Sequence, residues 1–120
     1  MKNKFGFILV NPQLGENIGA CARSMKNFNF KKLNIVSPKF AFPNHKTKVT
    51  SVGAYDIINS AKVFKNINEA INEFDIIISL SARRRDINKK HISFKDFKDI
   101  LKKRASSKFG FMFGPESSGL

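Results

Sequence analysis

The sequence predicts an α/β fold, with an open, mostly parallel sheet and helices on both faces. Two observations predict it. Short apolar runs alternate with amphipathic segments along the chain, and neither a linker nor an internal repeat interrupts this alternation. The length of 120 residues and the apolar fraction of 42% suit one domain with one modest core. We therefore expect residues 1–120 to form a single domain.

Five short apolar runs predict the strands. The first run is bulky and ends at Asn11-Pro12, where the proline breaks the pattern. The clearest run carries Ile76-Ile77-Ile78 at its centre, and buried parallel strands have such unbroken apolar sequences. The predicted strands are residues 5–10, 33–37, 61–64, 75–80 and 109–113.

Amphipathic segments predict the helices. The first of them has apolar residues at spacings of three and four, as on one face of a helix. Asn66 or Asn68 can cap a short helix, and Ser93 can cap another that ends in Lys102-Lys103-Arg104, where basic side chains suit the helix dipole. We predict helices at residues 17–28, 67–74 and 93–105, partial helix at 49–60, and loops at 40–48 and 81–91.

The loops after the strands are the expected place for a ligand, because open α/β sheets bind ligands at the carboxyl ends of their strands. The loops at residues 12–17, 79–83 and 114–120 all follow predicted strands. A sheet of this kind normally continues from its last loop into a covering helix. Since residue 120 lies within such a loop, we expect the domain to be incomplete at its C-terminus.

Charge is the strongest global signal. Lys and Arg number 22 against 9 Asp and Glu, a formal net charge of +13, which attracts polyanions such as nucleic acid. Residues 83–108 hold eleven of the basic residues against three acidic ones. A lysine-rich composition or a solvated helix face can explain part of this excess. Arginine forks suit phosphate, so Arg83, Arg84 and Arg85 are candidate RNA contacts.

Several classes of function lose support. No apolar run approaches the roughly 20 residues that span a bilayer, and no signal-peptide cleavage site follows the N-terminus. The single cysteine, Cys21, excludes an internal disulfide and favours the cytoplasm. His45 and His91 stand apart from any array with ligand spacing, so we expect no metal site. The glycine motifs of dinucleotide and P-loop sites are absent.

Each candidate residue also has an ordinary structural interpretation. Asn17 could be a helix cap, Gly15 a turn residue, and Gly19 a point of close helix packing. A surface ion pair is the default role for Arg23, and Cys21 fits the core better than the role of a nucleophile. Glu116 alone would be an unremarkable loop carboxylate.

The combination of motifs resembles the SpoU (TrmH-like) branch of the SPOUT RNA methyltransferases. Within that branch it is most similar to the TrmJ group of tRNA 2′-O-methyltransferases, which modify the anticodon loop. The resemblance covers essentially the whole chain, and its motifs are specific in combination. They are Leu9-Val10-Asn11-Pro12, Asn17-Ile18-Gly19-Ala20-x-Ala22-Arg23-Ser24-Met25-Lys26, Ser79-Leu80-Ser81-Ala82-Arg83 and Phe113-Gly114-Pro115-Glu116-x-x-Gly119-Leu120.

This resemblance implies a C-terminal trefoil knot, S-adenosylmethionine as the methyl donor, and a homodimer with active sites at the subunit interface. The family's third motif, a Ser-Leu-Asn segment that forms part of the knot, does not occur in the 120 residues. By motif position, the polar catalytic residues are Asn17, Arg23 and Glu116. The residues of the loops that cradle the cofactor are Ser79, Leu80, Ser81 and Gly114.

The chemistry suits these residue types. Methyl transfer to a ribose 2′-hydroxyl requires the oxygen to lie in line with the sulfonium carbon. The family's proposed base is the arginine, but a guanidinium stays protonated, so we expect Arg23 to bind the adjacent phosphate and stabilise the developing alkoxide. Two alternatives remain: a catalytically incompetent RNA-binding fragment of the same fold, and a nucleotide-binding α/β domain that does not bind RNA.

Overall fold

The computed structural model describes residues 4–79, 90–92, 103 and 106–114. These residues contain a six-stranded sheet with the strand order β3-β2-β1-β6-β4-β5, and every neighbouring pair is parallel. The C-terminal strand β6 therefore lies in the middle of the sheet, between β1 and β4. The strands are β1 (Phe5–Val10), β2 (Lys32–Val36), β3 (Lys62–Phe64), β4 (Ile76–Ser79), β5 (Lys90–Ile92) and β6 (Phe109–Phe113).

Helices cover both faces of the sheet, as the sequence predicts. On one face, Ile18, Ala22 and Met25 pack on Leu33 and Ile35 of β2 in one apolar cluster. On the other face a second cluster joins one short helix to the even-numbered residues of β1 and β2. The helices of the first face are α1 (Gly15–Asn27), α2 (His45–Thr50) and α3 (Tyr55–Ser60), and that of the second is α4 (Ile67–Ile71).

Phenylalanine rings join the two central strands on the face that carries α1. The parallel register places Phe5 beside Phe109, and these rings stack with centroids 5.6 Å apart. Further along the same strands, Phe7 stacks on Phe113 at 5.9 Å. Side chains alternate across a strand, so the odd-numbered residues of both strands form one aromatic surface, which leads towards the carboxyl edge of the sheet.

Helices α1 and α2 approach closely because two glycines face the contact. A Cβ atom at Gly19 would overlap the side chain of Thr50 and lie only 2.9 Å from its backbone carbon. A Cβ at Gly15 would lie 2.8 Å from Oδ1 of Asn44. The interpretation of Gly19 as a packing residue is therefore confirmed. Gly15, which the sequence places in a turn, is instead the first residue of α1.

All five predicted strands lie where the sequence places them to within one residue at each end. Helix α1 begins two residues before its predicted start. The cap of α4 is Asn66, whose Oδ1 accepts a hydrogen bond from the Glu69 N–H at 2.9 Å. The predicted helix at residues 93–105 lies outside the described residues, apart from Lys103.

Two predicted loops are wrong in part: residues 45–48 of the first are helical, and residues 90 and 91 of the second lie in a strand. Residues 45–50 form α2, which begins at a capping box: Asn44 Oδ1 accepts from the Thr47 N–H, and Thr47 Oγ1 accepts from the Asn44 N–H. This helix lacks the apolar periodicity that signals a helix, and its capping bonds define its start instead. Residues 90–92, predicted as part of a basic loop, pair with β4 as the edge strand β5. An edge strand needs only one neighbour, so no apolar run marks it in the sequence.

Candidate active site

A cleft of about 420 Å³ opens at the carboxyl ends of β1 and β6, on the face of the sheet that carries α1. Phenylalanine and leucine side chains from the two strands, with Pro12 after β1, form one wall, and the first three turns of α1 form the other. The lining residues are Phe7, Leu9, Val10, Pro12, Asn17, Ala20, Cys21, Ser24, Phe113 and Gly114.

The cleft brings two predicted site residues together. Asn17 comes from the first turn of α1, and Gly114 directly follows β6. Asn17 is not the cap of α1, because the N-cap residue is Leu14 and the Asn17 N–H donates to the Leu14 carbonyl at 3.2 Å. The helix-cap interpretation of Asn17 is therefore wrong, and its exposed side chain is directed to the cleft side of the helix.

Ser79 lies at the same edge of the sheet. It is the last residue of β4, and the register pairs it with Met112 of the neighbouring strand β6. Gly114 lies two residues beyond Met112, so both predicted cofactor residues are at the carboxyl edge of the sheet, but only Gly114 is among the residues that line the cleft. The other predicted site residues lie outside the described part of the chain: Leu80, Ser81, Arg83, Arg84, Arg85 and Glu116.

Arg23 lies on a different side of α1. Six residues separate it from Asn17, which places the two side chains about 120° apart around the helix axis. Arg23 lines a separate hollow of about 180 Å³ with Lys26, Asn27 and residues 52–54. Lys26 forms an ion pair with Asp56 at 2.8 Å, whereas no described carboxylate forms one with Arg23. Within one chain, the described structure does not bring Arg23 to Asn17.

Cys21 is half-buried between the cleft and the apolar cluster under α1. Burial raises the pKa of its thiol from 9.0 to about 11. A thiol with so high a pKa is protonated at neutral pH and is a poor nucleophile. Its environment therefore agrees with the interpretation of Cys21 as a packing residue.

The aromatic wall of the cleft is a feature that the motifs do not reveal. Phe7, Leu9 and Phe113 reach the cleft because they occupy the same face of adjacent strands. Their alternation along residues 5–9 and 109–113 is visible in the sequence, but the adjacency of β1 and β6 is not. Ser24 was likewise missed as a lining residue; it lies two turns after Asn17 on the same side of α1.

The cleft suits a flat, partly apolar ligand that carries a positive charge. Its volume falls within the usual range for small-molecule sites. Although the chain has 22 basic residues, no lysine or arginine is among the described residues that line it. The adenine and sulfonium groups of S-adenosylmethionine match this environment, because the ring needs apolar walls and the cation is repelled by other cations. The described lining therefore fits the expected cofactor.

The described part of the chain also lacks features of other site classes. It contains no group of three or more His, Cys, Asp or Glu side chains that could hold a metal ion. None of its helices is both long and apolar enough to cross a bilayer.

Comparison with known proteins identifies the family of this chain. The profile of the SpoU rRNA Methylase family matches residues 4–120. The chain is 36% identical over 117 residues to the tRNA (cytidine-2′-O-)-methyltransferase TrmJ of Methanocaldococcus jannaschii, with 94% of this chain and 50% of the relative covered. The crystal structure of TrmJ from Z. mobilis ZM4 superposes with a TM-score of 0.81 at 33% identity, over 96% of this chain and 51% of that one.

A more distant structure has the same fold. The TrmH/SpoU tRNA modifying enzyme of A. aeolicus superposes with a TM-score of 0.67 at 12% identity, over 98% of this chain and 55% of that one. The chain spans about half the length of the TrmJ relatives it matches. Because the family profile covers nearly the whole chain, from the strand before the cleft to the motif that follows Gly114, this protein belongs to the SpoU rRNA Methylase family.

Proposed function

We propose that this protein is an S-adenosylmethionine-dependent RNA 2′-O-ribose methyltransferase that acts on tRNA in the cytoplasm. One observation supports the proposal: Asn17 and Gly114, from motifs at opposite ends of the sequence, line a single cleft, and no lysine or arginine is among its described lining residues. The TrmJ relatives, named as tRNA 2′-O-methyltransferases, support tRNA as the substrate.

The cofactor is held at the ends of β4 and β6 in this proposal. Ser79, Leu80, Ser81 and Gly114 supply the loops around it, and the aromatic wall of the cleft accommodates its ring. When bound, S-adenosylmethionine supplies a methyl group on a sulfonium, which an oxygen nucleophile can attack. The chain's own contribution is to hold the ribose hydroxyl in line with that methyl group and to exclude water from the reaction.

Arg23 binds the phosphate next to the target ribose and stabilises negative charge on the 2′-oxygen as its proton leaves. The planar guanidinium can donate two parallel hydrogen bonds, which suits this role. Asn17 and Glu116 orient the ribose and the guanidinium. Because Asn17 and Arg23 point about 120° apart on α1, we propose a homodimer in which the active site forms between two protomers, so that both residues face one bound RNA.

The basic segment around Arg83, Arg84 and Arg85, which follows β4 in the sequence, binds the RNA backbone in this proposal. Arginine side chains there would hold phosphates without reading base identity. The net charge of +13 supports a polyanionic substrate.

Methyl transfer tests this function directly. The protein is incubated with tritium-labelled S-adenosylmethionine and bulk tRNA, and we expect label in the RNA. The modified position should resist alkaline cleavage, because a methylated 2′-oxygen cannot attack the adjacent phosphate. A DNA oligonucleotide of the same sequence is the control, since it lacks the 2′-hydroxyl. RNA binding without incorporation of label would support the alternative, an RNA-binding chain without catalysis.

A further inference from the structure

We propose that the amino edge of the sheet, opposite the candidate active site, is a second contact surface for the RNA backbone. Four neighbouring strands, β3, β2, β1 and β6, each begin with a lysine or directly follow one. The register staggers the starts of these strands, since Gly6 pairs with Lys32 and Asn34 pairs with Lys62. The lysines therefore form an oblique row that runs from the amino ends of β1 and β6 towards the edge strand β3. The amino-edge row consists of Lys62, Lys31, Lys32, Lys4 and Lys108.

The row spans a distance that suits a polyanion. Neighbouring strands lie about 4.8 Å apart, so four strands spread the lysines over roughly 14 Å. Two carboxylates lie among them. Glu73 forms an ion pair with Lys32 at 2.9 Å, and Asp75 accepts a hydrogen bond from the Lys108 N–H at 2.8 Å. Five lysines therefore face two carboxylates, and the edge keeps a positive excess.

A hollow of about 350 Å³ marks one end of the row. Lys31 and Lys62 flank it, and both side chains are exposed. The described structure contains no ion pair between either of them and a carboxylate, whereas Lys26 and Lys46 on other surfaces each have an acidic partner. Glu73, which is paired with Lys32, also interacts electrostatically with Lys62, but it is the carboxylate of a single residue beside three lysines. Repulsion among these lysines costs free energy, and a bound chain of phosphates would reduce that cost.

RNA is favoured over other anionic partners by the arrangement of the two edges. Strand β1 has six residues, so its amino end, which follows Lys4, lies roughly 20 Å from its carboxyl end, where the cleft opens. An RNA molecule bound at the cleft is long enough to reach the row, where phosphates need no particular base sequence. The identification of the polymer as RNA rests on the proposed function, while the lysine row itself does not.

The test compares tRNA binding by two double variants of the protein. In Lys31→Gln with Lys62→Gln, which keeps the length of both side chains, we expect the Kd for tRNA at low salt to rise about 5- to 20-fold. The slope of log K against log salt should fall by about 1.4–1.8, as expected for two lost phosphate contacts. The matched control is Lys48→Gln with Lys65→Gln, which removes the same charge from exposed positions elsewhere and should change Kd less than twofold.

Other outcomes would overturn the inference. Equal losses in the two double variants would mean that only net charge matters, and an unchanged Kd and slope would exclude the row as an RNA contact. Binding of the row to phosphatidylserine vesicles, with tRNA binding unchanged, would assign it to a membrane surface instead. The variant Lys31→Arg with Lys62→Arg keeps the charge and should bind like the wild type, which separates a loss of contact from a loss of folding.

Methylation kinetics distinguish this inference from the proposed function. Because the row lies away from the cleft, the Lys31→Gln, Lys62→Gln variant should raise KM for tRNA while kcat stays within about twofold. A wild-type protein that binds tRNA but transfers no methyl group would refute the proposed function. The binding comparison would still decide whether the row contacts RNA.

Discussion

At the scale of single residues, Arg23 is the sharpest test of the proposed chemistry. Replacing it with lysine keeps the positive charge but removes the planar fork. We expect Arg23→Lys to lower kcat for tRNA methylation by about 10²–10³-fold, similar to the loss of one preorganised donor to a developing oxyanion. Binding of tRNA should change little.

The neighbouring Lys26→Arg variant is the control, because it places a guanidinium on the same surface without altering the site. It should methylate normally. Methylation by Arg23→Lys at near-wild-type rates would reject a need for two parallel hydrogen bonds, and would leave Arg23 with a purely electrostatic role.

The burial of Cys21 predicts how the reactivity of its thiol depends on pH. Its thiol has a pKa of about 11 in the folded protein, against 9.0 when solvent-exposed. The folded state therefore favours the neutral thiol. This contribution to stability is complete below pH 9 and is lost as the pH rises towards 11. We expect alkylation of the native protein by iodoacetamide to be slow at pH 8 and to rise steeply only above pH 10.

The control for Cys21 is the same alkylation measurement in concentrated urea. In the unfolded protein, the pH at which the alkylation rate rises should be lower, close to the pKa of an ordinary thiol. Fast alkylation of the native protein at pH 7–8 would show that the thiol is accessible and ionised. It would reopen the possibility that Cys21 acts as a nucleophile.

Asn34 and Glu73 form a polar contact beneath α4. The amide of Asn34, buried in β2, donates to the carbonyl of Ala70 and to Oε1 of Glu73, both at 2.9 Å. Partial burial would raise the pKa of Glu73, but the hydrogen bonds from Asn34 and Lys32 outweigh it and lower the pKa. The carboxylate therefore stabilises the fold above its unfolded pKa, near 4.5, and this stabilisation is lost as the pH falls through the lower folded pKa.

Substitution tests this contact. We expect Asn34→Leu to destabilise the protein by about 1–3 kcal/mol at pH 7 in urea unfolding, because the Ala70 carbonyl and Glu73 lose their donor. The deficit should be smaller at an acidic pH, below the lowered folded pKa of Glu73, at which its carboxylate is protonated. Asn59→Ala, at an exposed position of α3, is the control and should have little effect. An equal loss of stability at both pH values would show that Glu73 does not contribute to the effect of Asn34→Leu.

At the scale of elements, the contact between α1 and α2 depends on Gly19. Alanine has the better helix propensity by about 1 kcal/mol, so Gly19→Ala would be stabilising if the position were open. The added methyl group instead meets Thr50, and we expect a net loss of about 1–3 kcal/mol in chemical unfolding.

A second substitution separates packing from propensity at this contact. Thr50→Ala in the Gly19→Ala background makes room for the new methyl group and should restore part of the lost stability. Additive losses in the double variant would mean that the backbone of α2, rather than the Thr50 side chain, determines the fit.

Comparing the predicted with the observed strands and helices shows which of them are marked by a local sequence pattern. Strands β1, β4 and β6 were predictable because their apolar runs are unbroken. Helix α2 was not predictable in this way, because its start is defined by two hydrogen bonds between Asn44 and Thr47 rather than by apolar spacing. Strand β5 was missed because Lys90-His91-Ile92 has no apolar pattern, and only its pairing with β4 makes it a strand.

At the scale of the whole molecule, the two edges of the sheet are proposed to bind different ligands. The carboxyl edge carries the cleft, whose described lining contains no lysine or arginine, and the row of five lysines begins at the amino edge. An uncharged cleft suits a cationic methyl donor, whereas the lysines suit a phosphate backbone. The same chain can therefore favour two ligands of opposite charge at two separate surfaces.

The sequence by itself determined the α/β class, the family motifs, the positive charge and the edge of the sheet at which a site would lie. These follow from local patterns, because periodicity and turn residues act over a few neighbours. Only the tertiary structure decided that β6 lies between β1 and β4, that Asn17 and Gly114 line one cleft, and that Arg23 faces elsewhere on α1. These relations depend on strand order and helix rotation, which arise from contacts between residues far apart in the chain.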